Sequence, residues 1–182
     1  MQILIQPDPL THPSTISLLT LHHTSLQSKP LPSTSSSNRT NPPSCYVLPL
    51  TTLQTDPTIT VFTAWNPTTN ELLGCGALKE LSPTEAELKS MRTVTAHLRK
   101  GVARAIAEHI LDVAKQRGYK WVGLGTGGDE SFEGARRLYH SLGFRACEPF
   151  GEYVEWAGGW VGGGGLWGWS CEIDFGDLSG GG

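Results

Sequence analysis

The residues best placed to do chemistry lie between positions 85 and 144. Leu98-Arg99-Lys100-Gly101 ends the turn that follows a strand-like segment and opens the most regular helix pattern in the chain. A helix N-terminus carries free backbone N–H groups and a partial positive charge, so it holds phosphates well. Arg99 and Lys100 add cationic charge there, and Gly101 lets an anion come close to the backbone. The same residues also suit a basic helix start on a solvated surface, so this segment alone leaves two readings open. Competing chemistries have weaker support. Gly123-x-Gly125-x-Gly127 matches part of a dinucleotide fingerprint, but no helix starts at the needed place and no acidic ribose-binding residue follows at the right distance. There is no GxSxG elbow and no P-loop. The histidines at 12, 22, 23, 97, 109 and 140 match no HExxH or zinc-finger spacing, so no metal is expected.

The elements that must position these residues follow from periodicity. Residues 3–5 form a short apolar run stopped by Pro7 and Pro9, and Ser14 or Thr15 can cap a helix running to about Leu26. Residues 29–44 turn to Pro, Ser, Thr and Asn, which cannot bury enough apolar surface, and read as a long mobile loop. Residues 45–53 suit a short strand or turn. Residues 58–65 and 71–81 flank Asn66-Pro67-Thr68-Thr69-Asn70, which predicts a β-hairpin. Residues 85–94 make a third strand, with Leu88, Ser90 and Arg92 on one face and Glu87, Lys89, Met91 and Thr93 on the other. Val102, Ala105, Ile106, His109, Ile110, Val113 and Ala114 then keep helical spacing up to a stop at Gly118. Residues 119–124 read as a buried strand, residues 132–142 as a second helix stopped by Gly143, and residues 144–150 as another strand.

Composition bounds the partners. The chain has 182 residues and a net charge of −3, which argues against a general nucleic-acid or membrane-surface binder. No apolar stretch is long enough to span a bilayer, and the first residues lack the basic and apolar regions of a secretory signal, so a cytoplasmic location is expected. The four cysteines, 45, 75, 147 and 171, form no CxxC pair and fit free thiols in a reducing compartment.

Four segments occur in order: Gly74-Cys75-Gly76-Ala77-Leu78, Glu87-Leu88-Lys89-Ser90-Met91-Arg92-Thr93, Arg99-Lys100-Gly101-Val102-Ala103, and Ala135-Arg136-Arg137-Leu138-Tyr139-His140-Ser141-Leu142-Gly143-Phe144. Together they resemble the GCN5-related N-acetyltransferase (GNAT) family, which uses acetyl-coenzyme A, over roughly residues 1–155. The resemblance implies an α/β fold: a GNAT-like mixed, twisted, mostly antiparallel sheet of six to seven strands with helices on both faces. The domain is expected over residues 1–156, and the glycines and tryptophans of residues 157–182 read as a Gly/Trp-rich tail that adds a last strand at 169–175 or stays disordered.

The family's phosphate loop, Gln/Arg-x-x-Gly-x-Gly/Ala, falls on Leu98, Arg99, Lys100, Gly101, Val102 and Ala103, with Leu98 departing from the pattern at the first position and Arg104 following. By the same resemblance, Met91, Arg92 and Thr93 offer main-chain groups to the pantetheine arm, which lies between two splayed strands. The splay needs a bulge, and a main-chain N–H near these residues acts as oxyanion donor. Glu87 matches the general base of some members, and Tyr139 matches the usual acid. On the residues alone, Glu87 also suits a strand ion pair with Lys89, and Tyr139 a core tyrosine. Arg92 can pair with a substrate carboxylate or serve as a solvated or structurally paired arginine.

The expected function is acetyl transfer from acetyl-CoA to a primary amine of a small molecule (amino-acid-like or polyamine-like) or a peptide, by direct attack in a ternary complex. The alternative is a non-catalytic acyl-CoA-binding or regulatory module with a partner-docking tail. No metal, nucleic acid or membrane is implied, and exchange of a late strand makes a homodimer physically reasonable.

Overall fold

In the computed structural model, which describes residues 1–27, 47–128, 130–148, 150 and 169–175, β1 (Leu4–Pro7) leads into α1 (Pro13–Gln27) and, further on, α2 (Leu50–Thr55). A meander follows of β2 (Ile59–Asn66), β3 (Glu71–Ser82) and β4 (Glu85–Thr93). A 3₁₀ turn over Thr95–His97 then leads to α3 (Val102–Gln116), β5 (Trp121–Thr126), a second 3₁₀ turn over Glu130–Phe132, α4 (Glu133–Ser141), β6 (Arg145–Ala146) and β7 (Trp169–Asp174). All seven strands join one sheet in the order β1-β2-β3-β4-β5-β7-β6. Every pairing is antiparallel except β4 with β5. The expected mixed, mostly antiparallel sheet is what the chain builds. The loop expected at 29–44 and the tail glycines lie outside the described residues. No helix among the described residues is long and apolar enough to cross a membrane.

Two apolar clusters lie on the two faces of the sheet. On one face, Val102, Ile106 and Ile110 of α3 pack with Phe62, Leu73, Leu78, Leu88 and Leu124 of the strands and with Tyr139 and Phe144. On the other, Leu18 and Leu19 of α1 and Leu53 of α2 cover Val61, Trp65, Leu72, Cys75 and Ala77. Close approach of α3 depends on two glycines of β3. A Cβ at Gly74 would stand 2.7 Å from the Arg92 carbonyl oxygen, and one at Gly76 would stand 2.5 Å from Met91 Sδ and 2.9 Å from both Ile106 and Ile110. Glycine is therefore required by packing at both positions rather than by dihedral angle.

A partly buried polar network anchors α1. Asp8 Oδ2 accepts the hydroxyls of Thr15 at 2.9 Å and Thr63 at 3.1 Å, while Oδ1 accepts the Leu10 N–H at 2.7 Å. The Trp65 indole N–H donates in turn to Thr63.

Four local expectations need correction. The cap of α1 is His12 rather than Ser14 or Thr15: its carbonyl accepts the Ile16 N–H, its Nδ1 accepts the Ser14 N–H, and Pro13 takes the first helical position, where its missing donor costs nothing. Residues 50–55 form a helix, α2, where a strand or turn is expected. β6 has only two residues of the strand expected over 144–150. The fourth concerns β4, whose facing pattern changes partway along, as described next.

Candidate functional site

The site grows from an irregularity in β4. Along β3 the pairs run Cys75↔Arg92 and then Ala77↔Lys89, so β4 spends three residues where β3 spends two. The extra residue is a β-bulge at Ser90, whose φ is +53°. A bulge of this kind reverses which side chains face which way. Lys89 and Arg92 are opposite Ala77 and Cys75, which belong to the α1-side cluster, so Glu87, Lys89 and Arg92 share the α1 face. Met91 lies on the α3 side, packed against that core. Strict alternation places Arg92 with Leu88 and Ser90, and Met91 with Glu87; the inserted residue overturns both assignments.

Just before the bulge the sheet divides. β4 and β5 pair only over Glu85↔Trp121, Ala86↔Val122 and Glu87↔Gly123. Past that point β4 continues against β3 to Thr93, while β5 continues against β7 to Thr126. Main-chain groups of two parting parallel strands therefore face a wedge that opens beside Ser90, Met91 and Thr93. The Ser90 hydroxyl in this region is buried and has no hydrogen-bond partner.

The turn after β4 leads to a helix start suited to anions. Arg99 and Gly101 both have left-handed backbone, with φ of +61° and +83°, and such alternation turns successive N–H groups toward one concavity. Gly101 is the N-cap of α3 and makes no side-chain cap, and the first turn of α3 holds no acidic residue. The first helical hydrogen bond runs from the Ala105 N–H to the Gly101 carbonyl at 3.0 Å, so the N–H groups of Val102, Ala103 and Arg104 lie ahead of the helix's own pattern. No heavy atom lies within 4 Å of a Cβ built on Gly101, leaving the approach open.

The side chains of this loop divide by role. Leu98, Arg99 and Lys100 are exposed, and Leu98 stays 53 % exposed despite being apolar. Val102 is buried in the α3 core, so only its backbone faces the loop. The Arg104 guanidinium donates to Ser141 Oγ at 2.6 Å and pairs with Glu108 at 3.3 Å, tying α3 to α4. His97, in the turn between β4 and α3, has a buried Nδ1 without a partner.

The two candidate proton carriers occupy opposite faces. Glu87 is 4 % exposed and accepts a hydrogen bond from Lys89 Nζ at 2.9 Å; Lys89 is 5 % exposed. Tyr139 is buried on α4 within the α3-side core, its ring edge-on to Phe144 with centroids 5.8 Å apart. Both features that the residues alone suggest, the strand ion pair and the core tyrosine, are present. Neither conflicts with a role at the wedge, which lies between the two faces.

Composition and motif reading passed over one residue, His22. It sits on the buried stripe of α1 with Leu18 and Leu26, four residues to either side, and that spacing is the signal that could have found it. Burial, helped by the nearby Arg92 and His23 charges, holds its pKa down to about 4, and its Nδ1 has no hydrogen-bond partner. Cys75, fully buried on the same face, has its thiol pushed up to about 12 by desolvation. Among the described residues no group of three or more His, Cys, Asp or Glu could hold a metal ion.

A mixed sheet that parts between two parallel strands, beside a bulge and an uncapped, glycine-led helix, is the arrangement that the resemblance implies for a coenzyme A-dependent acyltransferase. Comparison with known proteins agrees. The Acetyltransferase (GNAT) family model matches residues 28–144. The chain is 51 % identical over 114 residues to the uncharacterized N-acetyltransferase YsnE of Bacillus subtilis (strain 168), covering 63 % of this chain and 74 % of that one. It is 39 % identical over 150 residues to the uncharacterized N-acetyltransferase YedL of Escherichia coli (strain K12), covering 82 % and 86 %. Among solved structures, a GNAT family acetyltransferase from Elizabethkingia anophelis with acetyl-CoA bound superposes with a TM-score of 0.63 at 18 % identity, over 94 % of this chain and 97 % of that one. A Bacillus subtilis acetyltransferase in complex with CoA gives 0.65 at 17 %, over 95 % and 99 %. The chain belongs to the GNAT family and is an acetyl-CoA-dependent acyltransferase.

Proposed function

We propose that this protein transfers the acetyl group of acetyl-CoA to the primary amine of a small molecule or a peptide, by direct attack within a ternary complex. One observation carries the reading: the split between β4 and β5 opens directly beside the Ser90 bulge and leads toward the left-handed turn that starts α3. The N–H groups of Gly101, Val102, Ala103 and Arg104 would hold the diphosphate, with Arg99 and Lys100 adding charge. Backbone amides do most of this work, so Leu98 at the first motif position leaves the cradle usable. Main-chain groups of Met91 to Thr93 would pair with the pantetheine amides. The residues fit the coenzyme, since the cradle is open and uncapped and the bulge leaves a buried hydroxyl unpartnered.

The bound thioester supplies an activated acyl carbon and a thiolate leaving group. What the chain must add is proton management and charge stabilisation. An ammonium has no lone pair, so the acceptor must lose a proton, and Glu87 on the α1 face takes it directly or through water. A main-chain N–H near Met91 stabilises the developing oxyanion. Tyr139, reaching from the α3 side, delivers a proton to the departing sulfur.

Calorimetric titration tests the reading at its first step. Acetyl-CoA should bind with a Kd in the range of about 1 μM to 1 mM usual for enzyme substrates. An amine panel of amino acids, polyamines, amino sugars and peptides should then release free CoA. Absence of coenzyme binding across that range would remove the basis of the proposal.

A further inference from the structure

We infer that Arg92 of β4 and His22 of α1 form a carboxylate-binding subsite for the acceptor, so that the preferred amines are amino acids or other amines bearing a carboxylate. This rests on the acetyl-transfer reading above and narrows its substrate class.

The first observation is a guanidinium without an anion. Arg92 is half-buried, and among the described residues its side chain makes no hydrogen bond or ion pair. Carboxylates do exist on the α1 face, but they are engaged elsewhere. Asp8 already accepts from Leu10, Thr15 and Thr63, and Glu87 accepts from Lys89. A partly desolvated arginine is costly unless a counter-ion is supplied, and its planar fork matches a carboxylate in two-point geometry.

The second observation is independent of the first. His22 is only 8 % exposed, yet its Nδ1 has no partner, and an orphaned buried polar atom calls for an explanation. Burial and the neighbouring Arg92 charge keep the imidazole neutral at neutral pH. In the tautomer with its proton on Nδ1, it is a hydrogen-bond donor that adds no second charge. One cation and one neutral donor suit a single negative charge.

Position links this pair to the reaction. The bulge turns Arg92 onto the face that carries Glu87 and Lys89, one residue from the Met91 backbone. Glu87 and Arg92 are about 13 Å apart along the strand, counting the bulge, so a proton passes from an acceptor held at Arg92 to Glu87 through water. A small acceptor whose carboxylate meets Arg92 presents its amine on the same face as Glu87. A polyamine offers Arg92 only like charge, and a peptide amine lacks the adjacent carboxylate.

The test compares the proteinogenic amino acids with their amides and with putrescine and spermidine, using the full chain and saturating acetyl-CoA. We expect kcat/KM for the best amino acids to exceed that for the matching amides by about tenfold to a hundredfold, the usual worth of a charge-assisted pair. In Arg92→Gln and in His22→Phe the acid-over-amide ratio should fall toward one, with KM for the acid rising most. The wild-type ratio needs no variant, so a misfolded substitution leaves the test intact. Amides or polyamines turned over as well as the acids, or a ratio unchanged in Arg92→Gln, would overturn the subsite while leaving acetyl transfer standing. Failure to bind acetyl-CoA at all would instead sink the reading on which it rests.

Discussion

Glu87 lies on the α1 face of the sheet and Tyr139 in the α3-side core, and the proposed mechanism has the first accept a proton from the nucleophile and the second supply one to the leaving group. Glu87→Gln keeps the shape and the hydrogen-bonding reach but cannot take a proton, and Tyr139→Phe removes only the hydroxyl. Each is expected to lower kcat by about 10² to 10⁴, the usual contribution of a positioned acid or base, while acetyl-CoA affinity measured by titration stays at the wild-type level. Loss of coenzyme binding in either variant would mean that the residue serves the fold instead. Cys75 presents the opposite case, a nucleophile type with no nucleophile's environment. Its thiol is fully buried, its proton directed at the Ser90 carbonyl, and its pKa is pushed up to about 12 by desolvation. Peptide mapping after native iodoacetamide treatment at pH 8 should find Cys75 unmodified, since almost no thiolate forms there. The residues proposed for this site were readable in sequence where, like Glu87, Tyr139 and the Leu98–Gly101 turn, they sit in ordered motifs. Arg92 and His22 were less so: one owes its direction to a bulge, and the other looks like any histidine on a helix.

Glycine substitutions separate what packing requires from what propensity prefers at the level of elements. Gly74→Ala would drive a methyl group to 2.7 Å from the Arg92 carbonyl, a backbone atom in the very strand that bulges, and to 3.1 Å from Ile106. Neither neighbour is a freely moving chain end, so the expected cost is about 1–3 kcal/mol in urea unfolding. Gly134→Ala, within α4 and with nothing inside 4 Å of the new methyl, should stabilise by about 0.5–1 kcal/mol through helix propensity. Equal effects at the two positions would show that α3 does not press on β3 as tightly as the geometry requires. These contrasts also explain which elements were legible. α3 announces itself through an apolar stripe from Val102 to Ala114, and its buried set adds Ala107 and Leu111 to that stripe. α2 is six residues with two leucines on its inner side, too short for any period to stand out. The bulge in β4 left no compositional trace, since Ser90 takes a positive φ that serine seldom adopts. Alternation therefore gave the wrong partners from Ser90 onward, although the strand itself was plain.

Across the whole molecule, stability is linked to the α1 face through His22. Folding buries this imidazole and lowers its pKa from 6.5 to about 4. Between those two values the unfolded chain binds a proton that the folded chain does not, so the unfolded state gains as the solution becomes more acidic. The contribution is nil above about pH 6.5, grows by about 1.4 kcal/mol per pH unit below it, and reaches about 3 kcal/mol of lost stability near pH 4. Other groups titrate in the same interval, so wild type alone cannot isolate the effect. His22→Phe can, because it keeps a ring of similar breadth in the stripe of α1 but has nothing to protonate. Urea midpoints taken at pH 7 and pH 4.5 should fall further for wild type than for His22→Phe, with the difference concentrated below pH 6.5. Parallel pH dependences would mean that His22 is not shielded from solvent in the folded chain. A filled carboxylate subsite would act in the reverse sense on the same group: an anion beside the imidazole stabilises its protonated form and raises its folded pKa. Adding a well-acetylated amino acid should therefore lessen the acid loss in wild type and leave His22→Phe with only the pH-independent gain expected from ligand binding. The two packed faces of the sheet would then be coupled to acidity unequally, with the α1 face sensing both protons and acceptor while the α3 face holds the coenzyme.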